Sequence, residues 1–222
     1  MCGRFVLTSD GNTLQLALNL TDVPDIHTAR FNIAPSQPIA VVTNEHPGEL
    51  TFHKWGLVPS WAKDPAMGNK MINARSETAA EKPAFRAAFK RRRCLIPADG
   101  FFEWQKRAGG KQPMFIYLKD HPVFAFAGLW EIWYSPDGDE LRTATILTTE
   151  PNDFMADIHN RMPVILNSED YETWLAPDDQ KAADLEHLLR PFDANRMEAY
   201  PVSTFVNSPG NDSPETIEPL AS

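Results

Sequence analysis

The sequence is poor in cysteine, with only Cys2 and Cys94 among 222 residues. It has no CxxC and no HxxxH spacing, which excludes the common zinc-binding patterns, so no metal site is predicted. Two cysteines are also too few for a disulfide framework, which favours free thiols in a reducing compartment. Cys94 begins an apolar run in RRRCLIPADG and is therefore expected to be a buried strand thiol.

Long apolar stretches are absent as well. No run approaches the roughly 18 apolar residues that a membrane-crossing helix needs. The first residues, MCGRFVLTSDGN, lack the basic segment and the apolar segment of a secretory signal peptide. These absences predict a cytoplasmic protein with no membrane partner, associated with the nucleoid if the source is prokaryotic.

Positive charge is scarce overall and unevenly distributed. The formal net charge of −9 disfavours a general nucleic-acid binder. Residues 54–107 nevertheless carry twelve Lys or Arg and five Asp or Glu, a balance of +7, while the remainder of the chain carries −16. A basic middle on an acidic chain indicates one localised anion-binding face. The alternative is a solvated helix end that carries residues 90–93 (KRRR).

The order of secondary-structure elements predicts the fold class. The 19 prolines are spread along the chain and favour many short elements. Helices are expected at 8–20, 83–92, 150–158, 168–175 and 178–190. Strands are expected at 38–43, 50–57, 94–97, 114–118, 123–133, 143–149 and 163–166. Without a βαβ rhythm, this order predicts an α+β fold, in which a curved, largely antiparallel sheet or open barrel has helices at its rim.

No linker-like stretch divides the sequence. We therefore expect one domain over residues 1–222. The polar tail from about residue 206 (VNSPGNDSPETIEPLAS) is expected to pack as extended chain and to end in a few loose residues.

Cys2 is the most unusual residue. Removal of Met1, expected because residue 2 is small, would leave an α-amine and a thiol on adjacent carbons. Their reference pKa values are about 7.7–8.0 and about 8.5, and the ammonium should lower that of the thiol. Such an aminothiol suits an aldehyde: the amine forms an imine, and the thiolate closes on the imine carbon to give a five-membered thiazolidine. The alternative is that Cys2 is an ordinary terminal residue.

Glu103 and His159 are candidates for proton transfer. Glu103 lies among aromatic residues in DGFFEW; if it points inward, desolvation raises its pKa and makes it a usable proton shuttle. If it points outward, it is a solvated strand residue. His159, in DIHNRMP, lies beside an arginine where a predicted helix ends. The other histidines are expected to be surface or hydrogen-bonded residues: His27, His46, His53, His121 and His187.

Several side chains suit nucleic acid. Asn73 and Arg75, in INARSET, and Arg161 offer amide and guanidinium donors for phosphate. Trp55 and Trp61, in WGLVPSW, could be core residues or could stack on a base. Core packing is favoured for Trp55, whereas Trp61, beside Lys63 and between two prolines, could be exposed.

Several segments, taken together and in this order, resemble the SRAP family, the SOS-response-associated, abasic-site-processing proteins. The resemblance extends from Cys2 to about Leu220, nearly the whole chain. No single segment is diagnostic, but the ensemble is highly specific. The segments are CGRF (2–5), FNIAPSQ (31–37), WGLVPSW (55–61), INARSET (72–78), RRRCLIPADGFFEW (91–104), GLW (128–130), IHNRMPVIL (158–166) and PVS (201–203).

The resemblance implies a set of functional residues. The crosslinking cysteine and the active-site asparagine, glutamate and histidine would be Cys2, Asn73, Glu103 and His159. The expected DNA contacts are Arg4, Arg75 and Arg161 at phosphates, Pro35 and Trp61 as wedge or stacking residues at the abasic nucleotide, and Thr149. Ala62 stands where some relatives carry a second aromatic residue, and the stretch 63–70 is given no role.

The resemblance also implies a reaction, which needs neither a metal nor a cofactor. The amine of Cys2 attacks the aldehyde of an abasic site in single-stranded DNA, Glu103 or His159 relays protons, and the thiolate closes a thiazolidine that protects the lesion. The imine stage permits a β-lyase side-activity. Two alternatives stay open: a thiol peptidase with His159 as base, acting on itself or on other proteins, and a non-catalytic single-strand binder, which the net charge disfavours.

Overall fold

The computed structural model describes residues 2–220. Met1 and residues 221–222 lie outside the described residues, and with them the expected removal of Met1 and the loose chain end. The helices are α1 (Gly11–Leu18), α2 (Ser76–Ala79), α3 (Arg86–Arg91), α4 (Asp153–Ala156), α5 (Tyr171–Trp174) and α6 (Ala182–Leu185). The strands are β1 (Phe5–Leu7), β2 (Arg30–Ile33), β3 (Pro38–Thr43), β4 (Thr51–Trp55), β5 (Asn73–Arg75), β6 (Arg93–Ala98), β7 (Gly100–Arg107), β8 (Gly110–Leu118), β9 (Phe124–Tyr134), β10 (Glu140–Thr149), β11 (Met162–Pro163), β12 (Ile165–Leu166) and β13 (Met197–Pro201).

Five strands form a closed barrel. The strands pair in the order β10, β4, β3, β6 and β9, and β9 pairs with β10 to complete the ring. All these pairings are antiparallel except that of β4 with β10. Three short strands extend the barrel, since β5 and β11 pair with β10 and β12 pairs with β9. The predicted α+β class is confirmed, and the barrel is closed because β9 and β10 form a long hairpin.

A second, five-stranded sheet lies beside the barrel. Its strand order is β13, β8, β7, β1 and β2, and all its pairings are antiparallel. The chain passes from the barrel into this sheet at Asp99, between β6 and β7. The Asp99 carboxylate accepts hydrogen bonds from the backbone N–H groups of Thr8 (2.6 Å) and Ser9 (2.9 Å), which ties this corner to the end of β1. A Cβ atom on Gly100 would lie 2.8 Å from the Ile116 carbonyl oxygen, so the corner needs glycine.

The helices are short and lie outside the barrel. Asp10 caps α1 through its side chain, and Asn152 caps α4 in the same way. The predicted helices at 150–158 and 178–190 are too long, because only 153–156 and 182–185 are α-helical. The 3₁₀ helices are Pro65–Lys70, Ser168–Asp170, Glu186–Leu188, Ala194–Arg196, Thr204–Asn207 and Pro214–Thr216.

The C-terminal segment is more ordered than the expected extended tail. It contains two 3₁₀ helices, and Val206 and Thr216 are fully buried. The buried amide of Asn32 donates to the carbonyl oxygens of Val206, Ser208 and Asn211. These bonds explain the difference, because β2 provides the partners that a free polar tail would lack.

The basic run at 90–93 is paired within the fold. Arg93 is fully buried, and its guanidinium donates to backbone carbonyls of α3 and of residues 174–178. Arg92 pairs with Glu131 at 3.1 Å, and the last two residues of α3 both pair with Asp179 at 2.9 and 3.1 Å. Of the two explanations for this basic run, the helix end fits better than an anion-binding face.

Two further findings concern membranes and metal ions. Between residues 2 and 220, no helix combines the length and the apolar character needed to cross a bilayer. The same part of the chain contains no group of three or more His, Cys, Asp or Glu side chains placed to hold a metal ion.

Candidate active site

Cys2 lies beside β7, the strand that carries Glu103. Phe5 pairs with Phe101, and the Phe102 N–H donates to the Arg4 carbonyl at 2.9 Å. Because the two strands are antiparallel, the chain preceding Phe5 continues alongside Glu103. Cys2 is fully buried there. Burial raises the pKa of the Cys2 thiol, the Glu103 carboxylate raises it further, and the Arg4 backbone N–H favours the thiolate. The predicted lowering of the thiol pKa concerns the chain without Met1 and stays a prediction.

Asn73 fixes the backbone at Cys2. Its Nδ2 donates to the Cys2 carbonyl oxygen at 2.8 Å. The side chain starts from β5, which runs parallel to β10 and pairs Asn73 with Ile146. The Oδ1 atom of Asn73 is buried and has no hydrogen-bond partner within residues 2–220. Asn73 thus holds the nucleophile residue with one end of its amide and leaves an acceptor at the other.

Glu103 points inward from β7. Its side chain is 3% exposed, and burial raises the pKa of its carboxyl group. The inward orientation fits the alternation of β7, where Gln105, on the same face, donates to the Asp157 carbonyl oxygen at 2.9 Å. Of the two orientations that the sequence allowed, the one that suits a proton shuttle is therefore found.

His159 faces Glu103 from the segment that follows α4. Its Nε2 lies 3.9 Å from a Glu103 carboxylate oxygen. The backbone of Arg161 holds the ring at Nδ1, which lies 3.1 Å from the Arg161 N–H and 3.2 Å from the Arg161 carbonyl oxygen. The His159 N–H in turn donates to the Met155 carbonyl at 2.8 Å. The backbone around His159 thus holds the imidazole so that it faces the Glu103 carboxylate.

Arg161 is already engaged by the protein. Its guanidinium forms two hydrogen bonds to the Glu77 carboxylate, at 2.6 and 2.9 Å, and donates to the Thr148 carbonyl at 2.6 Å. The Glu77 side chain is 48% exposed, and its pairing with Arg161 lowers the pKa of its carboxyl group. A phosphate at Arg161 would therefore meet Glu77 as a competitor.

Arg4 is held inside the protein. It is 8% exposed, and its NH1 donates to Asn32 Oδ1 at 2.7 Å and to the Val206 carbonyl at 2.6 Å. The guanidinium carbon lies 5.8 Å from the centre of the Trp104 ring. Burial lowers the pKa of Arg4. In this arrangement Arg4 anchors the segment that carries Cys2.

The remaining predicted DNA contacts differ in exposure. Arg75 is exposed at the end of β5, and Thr149 is buried where β10 pairs with Met162. Pro35 is half-buried in the turn between β2 and β3. Trp61 is 58% exposed, as the sequence allowed, whereas Trp55 is a fully buried core residue.

The backbone at Gly56 packs closely against Gly68, and this contact positions the segment that leads to Trp61. Gly56 has φ of 128°, and a Cβ atom there would lie 2.6 Å from the carbonyl oxygen of Gly68. Gly68 belongs to the 3₁₀ helix that occupies most of the stretch 63–70, so this stretch packs under the segment that leads to Trp61. The Trp133 side chain donates to the Ala62 carbonyl at 2.7 Å and closes the loop from the other side.

Three residues of this region have roles that were not predicted. Asn32 and Glu77 lie inside the quoted segments FNIAPSQ and INARSET, where their positions between functional residues could have drawn attention to them. His53 was expected to be at the surface or hydrogen-bonded, and this is wrong. It is 2% exposed on β4, and neither ring nitrogen has a hydrogen-bond partner within the described chain.

A cleft of about 550 Å³ opens beside the Glu103 carboxylate. Glu103, Trp104 and residues 156–160, which include His159, line it, together with Lys106 and Lys111. The cleft connects the buried carboxylate to solvent.

Known proteins resemble this chain in sequence. The profile of the SOS response associated peptidase (SRAP) family matches residues 1–209. The chain is 49% identical over 222 residues to the abasic site processing protein YoqW of Bacillus subtilis (strain 168), with 98% of this chain and 99% of YoqW covered. It is 40% identical over 191 residues to the abasic site processing protein HMCES of Gallus gallus, with 75% of this chain and 56% of HMCES covered.

Solved structures resemble it in fold. The crystal structure of a protein from Bacteroides thetaiotaomicron superposes with a TM-score of 0.88 at 30% identity, covering 99% of this chain and all of that one. A protein from Bordetella bronchiseptica gives a TM-score of 0.79 at 26% identity over 91% of this chain. The similarity to the first of these structures extends over both sheets.

Proposed function

The chain belongs to the SRAP family, and from this premise we propose that it processes abasic sites in single-stranded DNA by bonding to them covalently through Cys2. The observation that carries the proposal is the grouping of four side chains from separate parts of the sequence. Cys2, Asn73, Glu103 and His159 come from the N-terminal segment, β5, β7 and the turn after α4. The Asn73 amide contacts the Cys2 carbonyl at 2.8 Å and His159 lies 3.9 Å from Glu103, while the Glu103 carboxylate acts on the Cys2 thiol and raises its pKa.

The reaction is an aldehyde condensation that releases one water. After removal of Met1, the amine of Cys2 adds to the C1′ aldehyde, and loss of water from the carbinolamine gives an imine. The sulfur then adds to the imine carbon, and its proton passes to the ring nitrogen through Glu103. A carboxyl group whose pKa burial has raised toward neutrality is suited to both accepting and returning that proton.

Asn73 and His159 position the reacting groups. The amide of Asn73 holds the Cys2 carbonyl, and its unbonded Oδ1 can accept from the α-amine or from the carbinolamine hydroxyl. The imidazole of His159 lies 3.9 Å from the Glu103 carboxylate and is placed to assist its proton transfer. An imine that eliminates before the sulfur closes would give the β-lyase side-reaction.

The DNA contacts fall into two groups. Arg75 and Trp61 are exposed and can meet phosphate and base without rearrangement. Arg161 would bind phosphate by releasing Glu77, and Arg4 supports the site from within. A single strand presents its aldehyde freely, whereas a duplex must swing the nucleotide out at a cost of a few kcal/mol.

The test is adduct formation with a single-stranded oligonucleotide that contains one abasic site. A band that survives denaturation is expected, and the tetrahydrofuran analogue, which has no aldehyde, should give none. The same site within an intact duplex should react about tenfold more slowly or worse, in line with the extrusion cost. Phosphate contacts by Arg75 and Arg161 predict a log–log salt slope of about −1.4 on single strands. An equal yield from the tetrahydrofuran oligonucleotide would contradict the proposal.

The thiol peptidase alternative fits the site less well. A peptidase needs a thiolate that attacks a peptide carbonyl, whereas burial and Glu103 both raise the pKa of the Cys2 thiol. Imine formation begins at the amine and needs the sulfur only at the second step. Blocking the α-amine separates the two: it should abolish DNA adducts and leave a peptidase active.

A further inference from the structure

The cleft beside Glu103 continues to the tip of the β7–β8 hairpin. Lys106 and Lys111 line it, and both are exposed. Lys106 lies three residues beyond Glu103 on the same strand, which is about 10 Å at the rise of a β-strand. Since successive phosphates of a strand are spaced about 3.4 Å along a duplex axis, a few nucleotides cover this distance. A strand bound at Glu103 can therefore reach the hairpin tip.

The two lysines form a like-charge pair. Lys106 and Lys111 are directly opposed in the β7–β8 ladder. Like charges at directly opposed positions destabilise a strand pair. Among the named strands of residues 2–220, no other directly opposed pair carries charges of the same sign; outside them, an isolated bridge opposes the carboxylates of Asp22 and Glu49. The hairpin therefore carries an unfavourable charge arrangement that an anion would relieve.

The charge of the tip is also left uncompensated by the protein. Residues 106–111 (KRAGGK) contain no acidic residue, and neither lysine has a salt-bridge partner within residues 2–220. Arg107 donates to Gln105 and to the Met114 sulfur, which are neutral. The run at 90–93 differs, because its exposed cations pair with Asp179 and Glu131.

The opposite wall of the cleft does not cancel this charge. Asp157 contributes a carboxylate to it, and Gln105 ties this wall to the hairpin through the Asp157 backbone carbonyl at 2.9 Å. Lys106 and Lys111 on one side of the cleft thus face one exposed carboxylate on the other. The proton transfer proposed at Glu103 does not itself require a cation of the hairpin.

From this arrangement we infer that the β7–β8 hairpin tip is a phosphate-binding subsite for the DNA strand that flanks the abasic nucleotide. Lys106 and Lys111 bind the backbone phosphates, and Arg107 adds to the local potential. The inference rests on the proposed function for the identity of the strand. It adds a second contact region, separate from Arg75, Arg161 and Trp61, that follows the strand away from the reacting carbon.

The experiment measures noncovalent binding, so that the crosslinking reaction does not interfere. Fluorescence anisotropy with a single-stranded oligonucleotide carrying the tetrahydrofuran analogue gives Kd from 50 to 200 mM salt. The Lys106→Gln/Lys111→Gln variant is compared with the wild type and with Lys119→Gln/Lys181→Gln, a matched control that removes two exposed lysines elsewhere. Loss of two phosphate contacts should lower the log–log salt slope by about 1.4 and weaken binding about tenfold or more at 50 mM salt. The control should stay within twofold of the wild type.

Shortened oligonucleotides identify the strand side. Truncation of the flank to one nucleotide on either the 5′ or the 3′ side should remove the difference between the wild type and the hairpin variant. Truncation on the other side should preserve it. A difference that survives both truncations would mean that the lysines act on any phosphate near the protein, and it would overturn the subsite. Competition by inorganic phosphate at the same ionic strength should be weak, because a free phosphate lacks the neighbouring contacts.

Adduct formation with the aldehyde oligonucleotide separates this inference from the proposed function. Wild-type adducts together with an unchanged salt slope in the hairpin variant would overturn the hairpin subsite alone. A clear change in slope without any wild-type adduct would overturn the covalent function and leave a DNA-binding hairpin.

Discussion

Cys2 and Cys94 are two thiols with the same burial and different surroundings. Both are fully buried, and burial raises the pKa of both. Cys94 lies in the barrel wall, where a Cβ atom on Gly128 would come within 2.8 Å of its sulfur, and burial is the only cause of its shift. Cys2 shares its pocket with Glu103 and with the amide of Asn73. Burial therefore does not distinguish a reactive thiol from an inert one, whereas the neighbouring polar groups do.

The largest expected difference between the two thiols is in adduct formation. Cys2→Ser should lose the heat-stable adduct completely and keep an imine that borohydride can trap, because the amine remains and the sulfur does not. Cys94→Ser should crosslink at the wild-type rate. Denaturing gels with and without borohydride measure both outcomes. A heat-stable adduct from Cys2→Ser equal to that of the wild type would rule out the thiazolidine.

The next largest expected effect concerns Glu103, whose carboxylate acts on the thiol of Cys2 and not on that of Cys94. Glu103→Gln should slow adduct formation by roughly 10²-fold, the scale of general acid–base catalysis, with little change in noncovalent Kd. Because the pKa of Glu103 is raised, the wild-type rate should fall with decreasing pH at values above those of an ordinary glutamate. The variant should lose the part of this acidic limb that Glu103 contributes and keep the part that protonation of the Cys2 amine causes. A variant with the wild-type rate and pH profile would leave Glu103 a purely structural role.

The next prediction concerns His53, a buried residue of the barrel, and the pH dependence of the free energy of unfolding. Burial lowers the pKa of His53 to about 4 in the folded barrel, whereas an unfolded histidine titrates near 6.5. A group with a depressed folded pKa stabilises the protein above the unfolded value, and this stability is lost as pH falls from about 6.5 to 4. The loss should reach about 3 kcal/mol at the lower limit. Urea unfolding of the wild type and His53→Leu between pH 7 and 4 measures it; parallel pH dependences in the two proteins would show that His53 is not responsible.

The smallest expected effect is on thermal stability. Here the substitution of Cys94 should have the larger effect and that of Cys2 the smaller, the opposite of their effects on adduct formation. Cys94→Ser places a hydroxyl among apolar groups and should cost about 1–3 kcal/mol, which is a fall in Tm of several degrees for a chain of this size. Cys2→Ser should cost less, because the Arg4 backbone N–H beside the sulfur can donate to the hydroxyl. Thermal melts of both variants test this; a larger fall for Cys2→Ser would mean that its pocket is as apolar as that of Cys94.

The sequence predicted the barrel better than the sheet that carries the site. Strand 38–43 was predicted with its observed bounds, and the other barrel strands within a few residues, because long runs of Val, Ile, Leu and Phe indicate strands buried on both faces. Of the second sheet, only β8 was predicted. Its other strands are short or carry polar residues: Arg30 and Asn32 in β2, and Glu103 in β7. Catalytic and anchoring residues interrupt the apolar pattern on which strand prediction depends.

The candidate site was predicted through resemblance rather than through pattern. Periodicity alone left the orientation of Glu103 open and gave no reason to group Asn73 with Cys2. What the sequence could not indicate is which cations are already paired. Arg161 and Arg4 look alike in a list of basic residues, yet one is bonded to an exposed carboxylate and the other to buried carbonyl groups. Such pairings depend on contacts between residues as far apart as 4 and 206.

The contact of Arg4 with the Val206 carbonyl has a practical consequence for handling the protein. The first strand and the last stretch of the chain are fastened to each other, since Asn32 and Arg4 both donate to carbonyl oxygens of residues 206–211. Shortening the gene at its 3′ end would therefore disturb the reactive end of the protein, about 200 residues away in sequence. An affinity tag on the N-terminus would block the amine directly. Deletions that remove residues 206–211 are therefore expected to disturb the segment that carries Cys2.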